Sequence, residues 1–417
     1  MERAYEKLTG TGGRLFADPQ PATDEASFQV DNTSSQYYDS PYYKLHKNDL
    51  QPVPAPRVPE PRMDLHDLLG PDVMSAIEAA KKISFHAVGD TGAAKVSSFQ
   101  TAAQAIAHEA SVADAMVLDV KRGGATGPAF FFHLGDVVYN FGEAQYYYDQ
   151  FYEPFRGYDR PIVAVPGNHD GMVFGNKSEA PSVPTLAAFL RNFCAAKPAQ
   201  SPDSGTLVRS TMTQPGVYFT LDAPFVSIVG LYTNVLEGPG VISSQGGKYP
   251  TVGDDQRNFL RAELQRLAPA RKAGERAVII ACHHPPASVD SKHGGSTGLA
   301  GDIDSASREA GFWPDAVLSG HAHLYQRFTR KVDGREIPYV VAGSGGFAAT
   351  APRGGLPKPP ITIGEYTLLK APIVDFGYLT VTVDMSAGAS LTIVFHDRTN
   401  TRTHDRLKLD LTSGKIH

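Results

Sequence analysis

Only two of the 417 residues are cysteine, Cys194 and Cys282, so no disulfide framework can hold this chain together. Cys282 closes the apolar run Ala277-Val278-Ile279-Ile280-Ala281 and is expected to be a buried structural thiol. No stretch approaches the roughly 18 consecutive apolar residues that a membrane span needs. The start of the chain carries Glu2, Arg3, Glu6 and Lys7 without an apolar core, so no secretory signal is visible. The expected location is therefore cytoplasmic by default, or periplasmic or secreted if a leader was removed. Basic residues form no long run and the net charge is -5, which argues against a nucleic-acid or anionic-membrane partner. A small phosphorylated substrate stays open, because bound metal can dominate the field inside a site. No internal repeat is visible, and oligomeric state leaves no signature.

What is present is an ordinary globular composition, 41% hydrophobic and 20% charged, long enough for one large domain or two modest ones. Residues 1 to about 62 are rich in Gly, Pro, Ser, Asp and Tyr, and the proline-dense stretch from Gln51 to Pro61 excludes an internal strand or helix. We expect residues 1–80 to be an extended N-terminal arm with a short helix from Asp72 to Lys82. Tyr37, Tyr38, Tyr42 and Tyr43 would drape it over the main domain, unless the arm is disordered. The main domain is expected over 81–400, followed by a C-terminal tail, 401–417.

Within 81–400, strand-like runs alternate with helical ones. The spacing predicts strands at Ile83–Val88, Ala129–Leu134, Pro161–Val165, Val217–Leu221, Phe225–Leu231, Ala277–Cys282, Ala316–Ser319 and Pro338–Ala342. It predicts helices at Val96–Val120, Gly142–Phe155, Thr185–Ala196 and Asp254–Ala268, the last with Asp254 as N-cap. A Pro/Gly loop should run from Gly346 to about Pro360, and Phe376–Val383 with Leu391–His396 reads as a closing hairpin. This mixture implies an α/β fold with mixed sheets.

Five short segments each end an apolar run with metal-binding residue types: Gly89-Asp90-Thr91-Gly92, Gly135-Asp136-Val137-Val138-Tyr139, Gly167-Asn168-His169-Asp170, Cys282-His283-His284-Pro285 and Gly320-His321-Ala322-His323. In open α/β sheets, ligand-binding groups collect beyond the carboxyl ends of strands. Donors delivered from five such points can enclose two ions, and a carboxylate with two oxygens can bridge them. A set combining Asp, Asn, Tyr and His favours transition metals over calcium.

In order and spacing these segments resemble the calcineurin-like metallophosphoesterases, and within them the purple acid phosphatases, whose pattern is GDxG, GDxxY, GNH plus an acid, xxxH and GHxH. The resemblance covers about Ile83 to His323, and more loosely to about His396. The broader family usually has His two places after the first Asp, where this chain has Gly92; the purple acid phosphatases supply instead a tyrosine, and Tyr139 occupies its place. The long N-terminal β-sandwich of the plant forms is not evident in residues 1–80. The resemblance implies a four-layer α-β-β-α sandwich. It also implies that Asp90, Asp136, Tyr139 and His323 bind a first metal and Asp136, Asn168, His283 and His321 a second. The first would be ferric iron, and the second a divalent iron, zinc or manganese.

The resemblance further implies phosphate monoester hydrolysis by a metal-bound hydroxide, with His169 assisting the leaving oxygen and His293 contacting substrate. A phosphodiesterase or pyrophosphate-bond hydrolase on the same metals is the alternative, and a non-catalytic scaffold a remote one. The loop from Gly171 to Val183, with Lys177, and the segment from Asp290 to Asp304 would set specificity. His284 is expected to be structural or to lie behind the ligands, since neighbours in an extended segment point opposite ways. His86 and His133 read as satisfied core histidines, Arg327 as a brace for the site loop, and Gly343-Ser344-Gly345-Gly346 as a tight turn against the site.

Overall fold

A computed structural model describes residues 52–93, 101–139, 141–171, 185–233, 240–399 and 403–417. In chain order its main elements are β1 (Arg62–Asp64), α1 (Pro71–Ala80), β2 (Lys82–Val88), α2 (Ala102–Gly123), β3 (Phe131–His133), β4 (Ile162–Ala164), α3 (Ala187–Phe193), β5 (Phe219–Ala223) and β6 (Val226–Leu231). They continue with α4 (Asp255–Lys272), β7 (Ala277–Cys282), α5 (Thr297–Ala310), β8 (Ala316–Ser319), β9 (Tyr325–Val332), β10 (Arg335–Ala342), β11 (Ile361–Ile363) and β12 (Tyr366–Leu368). The chain closes with β13 (Gly377–Asp384), β14 (Ser390–Asp397), β15 (Thr403–Asp410) and β16 (Lys415–Ile416).

The strands form two mixed sheets, ordered β1-β5-β6-β7-β8-β10-β9-β12-β11 and β16-β15-β14-β13-β2-β3-β4. Side chains alternate across a strand, and in β7 that alternation sorts residues into two cores. Ala277, Ile279 and Ala281 face the space between the sheets, where Phe85, Phe132 and Val163 of the other sheet also lie. Val278, Ile280 and Cys282 face outward under Leu260, Leu264 and Leu267 of α4 and Leu299, Ile303 and Ala306 of α5. On the far side, Val88, Phe131, Ile162 and Ala164 pack under Val112, Met116 and Val120 of α2. The result is the expected α-β-β-α layering. It also explains why these strands read as unbroken apolar runs: both of their faces are buried.

The parallel stretches β2-β3-β4 and β6-β7-β8 carry the site segments at their carboxyl ends. The predicted spans of β7 and β8 coincide with the observed ones. Helix α2 begins at Ala102, where Thr101 and Gln104 form a reciprocal capping box. The part of its predicted span before Thr101 lies outside the described residues.

Other expectations change. Residues 142–155 form no α-helix but a 3-10 turn, Ala144–Tyr146, followed by a single wide π-type turn, Tyr148–Tyr152. Tyr146, Tyr147, Phe151, Tyr152 and Phe155 are all buried, which leaves no polar face for a surface helix. Gln150 meanwhile clamps the backbone of Tyr139, accepting from its N at 2.8 Å and donating to its O at 2.7 Å.

The expected tail at 401–417 is instead part of the second sheet. β15 pairs with β14 and buries Leu407 and Leu409. Arg327, expected to brace the site loop, reaches this strand instead, donating from Nε to Asp405 at 2.6 Å. At the other end, β1 pairs in parallel with β5 and Arg57 donates to the carbonyls of Thr213 and Gln214, so the proline-rich segment from residue 52 onward lies on the main domain. Tyr37, Tyr38, Tyr42 and Tyr43 lie outside the described residues. Among those described, no helix is long and apolar enough to cross a membrane.

Candidate metal centre

Three site residues turn sharply as they leave their strands. Asp90 follows β2 with φ 60°, Asp136 follows β3 with φ 56°, and His321 follows β8 with φ 68°. A residue with a Cβ adopts this left-handed region only at a cost of about 1–3 kcal/mol, so the surrounding structure must over-determine it. Hydrogen bonds do so here: Asp90 N donates to Gly135 O at 2.9 Å, and His321 N to Asp90 Oδ2 at 2.8 Å. His169 N donates to Asp136 Oδ1 at 2.9 Å. Gly167 is required by contact, since a Cβ there would stand 2.0 Å from Asp136 Oδ1.

The turns aim their side chains at one place. Around Tyr139, the phenol oxygen lies 3.1 Å from Asp90 Oδ1, 2.9 Å from Asp136 Oδ2 and 3.3 Å from His323 Nε2. Around Asn168, Oδ1 lies 3.1 Å from both His283 Nε2 and His321 Nδ1. His283 Nε2 is in turn 3.3 Å from Asp136 Oδ2. Asp136 Oδ2 therefore belongs to both groups. Ligand atoms about 2.0–2.2 Å from a zinc-sized ion stand roughly 3–3.5 Å from one another, so the donor spacing suits a cation in each group. His283 Nδ1 donates to Leu134 O at 2.8 Å, which leaves Nε2 facing the cluster.

The electrostatics also call for cations. Asp90 and Asp136 are buried carboxylates within ligand distance of His283. Burial works to raise the Asp136 carboxyl, but the charges of His283 and His169 outweigh it and hold it well below the ordinary range. Burial lowers His283 while Asp136 and Asp90 raise it, leaving it at about 9. The Tyr139 phenol is pushed well above its ordinary value by burial and then by Asp136 and Asp90. It stays protonated unless a strongly Lewis-acidic cation replaces its proton.

Around this cluster lie the remaining expected residues. The His169 ring sits 4.4 Å from that of Tyr139, and the partly exposed His293 ring 4.4 Å from that of His321. His284 stands behind the cluster, with Nδ1 2.8 Å from Thr233 Oγ1 and its ring 4.1 Å from that of His321. His133 is held neutral, burial pushing it down to about 3; it accepts from Gly135 N at Nδ1 and pairs with Thr91 Oγ1 at Nε2. His86 is likewise satisfied, by Tyr158 and Asp119. The glycine turn packs on the site as expected, with Gly345 N donating to Gly89 O and Phe347 N to Asp90 O. Of the loop containing Lys177, residues 172–183 lie outside the described residues.

Two contributors were not anticipated. Phe347 lies flat on Tyr139, ring centroids 3.7 Å apart, and meets His323 edge-on. Asp170 accepts from Val137, Val138 and Gly167 N and so ties the β3 and β4 turns together. Its place in the Gly167–Asp170 segment was a signal for it; for Phe347 there was none beyond the neighbouring glycines.

Comparisons with known proteins point the same way. Among solved structures, the chain resembles a purple acid phosphatase, PPD1, from yellow lupin (Lupinus luteus) seeds, at 16% identity and TM-score 0.54. That match covers 79% of this chain but only 54% of the lupin protein, so this chain spans about half its length. It also resembles GAP50, the anchor in the inner membrane complex of Plasmodium, at 13% identity and TM-score 0.52, over 79% of this chain and 89% of that one. At such identities the likeness shows the fold alone. No curated protein sequence matches. The profile of the calcineurin-like phosphoesterases, however, matches residues 83–325, more than half of the chain and all five site segments. This chain belongs to the calcineurin-like phosphoesterase family.

Proposed function

We propose that this protein hydrolyses phosphate monoesters with two metal ions, in the manner of the purple acid phosphatases. Asp90, Asp136, Tyr139 and His323 would hold ferric iron, and Asp136, Asn168, His283 and His321 a divalent iron, zinc or manganese. When bound, such a pair supplies Lewis acidity and a water acidified to near neutrality. The observation that carries the reading is the sharing of Asp136 Oδ2 between the two donor groups, one of which contains a phenol. A phenolate is a hard, anionic donor, and here it must form against two carboxylates, which favours the more highly charged ion in its group.

The chain's own residues then supply orientation and protons. His169, at the edge of the Tyr139 ring, gives its proton to the departing alcohol oxygen, an assistance worth roughly 10²–10⁴-fold. His293 donates to a phosphoryl oxygen and neutralises charge that builds on it. No side chain needs to be phosphorylated.

The test is elemental analysis with a visible spectrum, followed by turnover of 4-nitrophenyl phosphate against the bis(4-nitrophenyl) diester. Two metals per chain and faster monoester turnover support the reading. Faster diester turnover would move the assignment to a phosphodiesterase. Absence of bound metal, with no turnover on adding iron, zinc or manganese, would leave a scaffold on the same fold.

A further inference from the structure

Beyond the metal-binding groups, one buried carboxylate has unused capacity and faces the site. Asp290 is almost wholly buried, at 1% exposure. Its Oδ2 accepts from Lys292 N at 3.0 Å and His293 N at 2.8 Å, closing the turn that presents His293. Asp290 Oδ1 makes no well-aligned hydrogen bond among the described residues, although the Thr350 hydroxyl lies beside the carboxylate.

Beside the Thr350 hydroxyl, the side-chain donor within reach is His293, whose Nδ1 lies 3.2 Å from Asp290 Oδ2. That contact is close enough for an ion pair, but the N–H is not yet aimed along it. Side-chain bonds at catalytic positions are often loose before substrate binds and tighten afterwards. The rest of the ring rests on His321 and, at 5.5 Å, on His323. Asp290 itself cannot easily shift. Its N donates to Ser288 Oγ, its O accepts from Arg353 Nε, and it bridges to Pro352.

We propose that Asp290 is a positioning residue: its carboxylate accepts from a proton-bearing Nδ1 of His293 and so turns the opposite edge of the ring, with Nε2, toward the substrate phosphoryl group. This rests on the hydrolytic reading above and assigns a second role to a turn whose backbone bonds alone would be structural. An asparagine at 290 could still accept both backbone N–H groups, so the turn survives the change while the carboxylate's hold on Nδ1 is lost.

The experiment is a double-mutant cycle on the full chain with 4-nitrophenyl phosphate. Asp290→Asn is expected to lower kcat/KM about tenfold to a hundredfold, the usual cost of removing a group that orients a functional histidine. In a His293→Ala background the same change should cost less than about twofold, because the ring it orients is gone. Equal losses in the two backgrounds would overturn the proposal. A second measurement needs neither turnover nor a folded variant at 290. In the zinc-loaded native chain labelled with nitrogen-15 histidine, the signal missing from His293→Ala should show a protonated Nδ1, and an Nδ1 without a proton would overturn the assignment. Should the native chain turn over no phosphate ester, the hydrolytic reading falls, and the tautomer still decides what Asp290 does.

Discussion

Gly92 and Tyr139 fit each other so closely that a Cβ on Gly92 would stand 3.0 Å from Cδ2 of the tyrosine ring. The same atom would lie 2.7 Å from Gln150 Oε1 and 2.9 Å from the carbonyl of Val137. Gln150 cannot simply swing away, because it holds both backbone polar groups of Tyr139. A side chain at 92 and a tyrosine aimed into the first donor group are therefore incompatible in this arrangement. Gly92→Ala should push the phenol off its line to Asp90 and Asp136. Metal affinity in the first position is expected to fall about tenfold to a hundredfold. A metal titration of the variant checks this, and native affinity would show that the tyrosine does not ligate.

Tyr139→Phe keeps the ring that stacks on Phe347 but removes the oxygen shared with Asp90 and Asp136. The iron-loaded native protein is expected to show a visible tyrosinate-to-iron absorption band, and the variant to lose it while unfolding at a similar temperature. A colourless native protein fully active with only zinc or manganese would refute the ferric assignment.

Asp136→Ala removes the carboxylate common to both donor groups. Both metals should be lost on dialysis and turnover should fall by at least about a thousandfold, since the metals stabilise several kcal/mol of transition-state charge. Elemental analysis beside the rate decides, and near-normal turnover would end the two-metal reading.

Glu109 of α2 tests the fold rather than the chemistry. It is fully buried, and burial outweighs the backbone N–H of Ala93 and raises its pKa well above 4.5. Above that value the folded chain holds a proton that the unfolded chain releases, so stability should fall as pH rises beyond about 4.5. Glu109→Gln should remove this component of the slope, and with it the proton-linked destabilisation of about 1–3 kcal/mol that has built up by pH 7. Denaturant unfolding at pH 5 and pH 7 measures it, and an unchanged difference between the two would contradict the assignment.

Much of the fold was legible because strands buried on both faces show as uninterrupted apolar runs, as Ala277–Cys282 and Ala316–Ser319 do. Strand β9 was hidden because its buried positions include Arg327 and Arg330, which look like surface residues until Asp405, Asp304 and Glu365 are seen beside them. Strand β15 was passed over although Leu407 and Leu409 alternate, because Asp405, its contribution to that buried network, reads as a loop residue. The helix expected at 142–155 failed for the opposite reason: all of its aromatics but Tyr148 are buried, and a helical period has meaning only when one face meets water.

The amino-acid order by itself determined the donor types and their positions just past apolar runs, because strand period and metal preference are both local properties. Only the tertiary structure decided that Asp136 Oδ2 lies in both donor groups, that Phe347 covers Tyr139 and that Asp290 faces His293. The contacts of Asp136 with His283 and of Phe347 with Tyr139 join residues remote in sequence. They exist because two separate sheets stack with the carboxyl ends of β2, β3, β4, β7 and β8 at one rim, and strand pairing, rather than any single segment, sets that convergence.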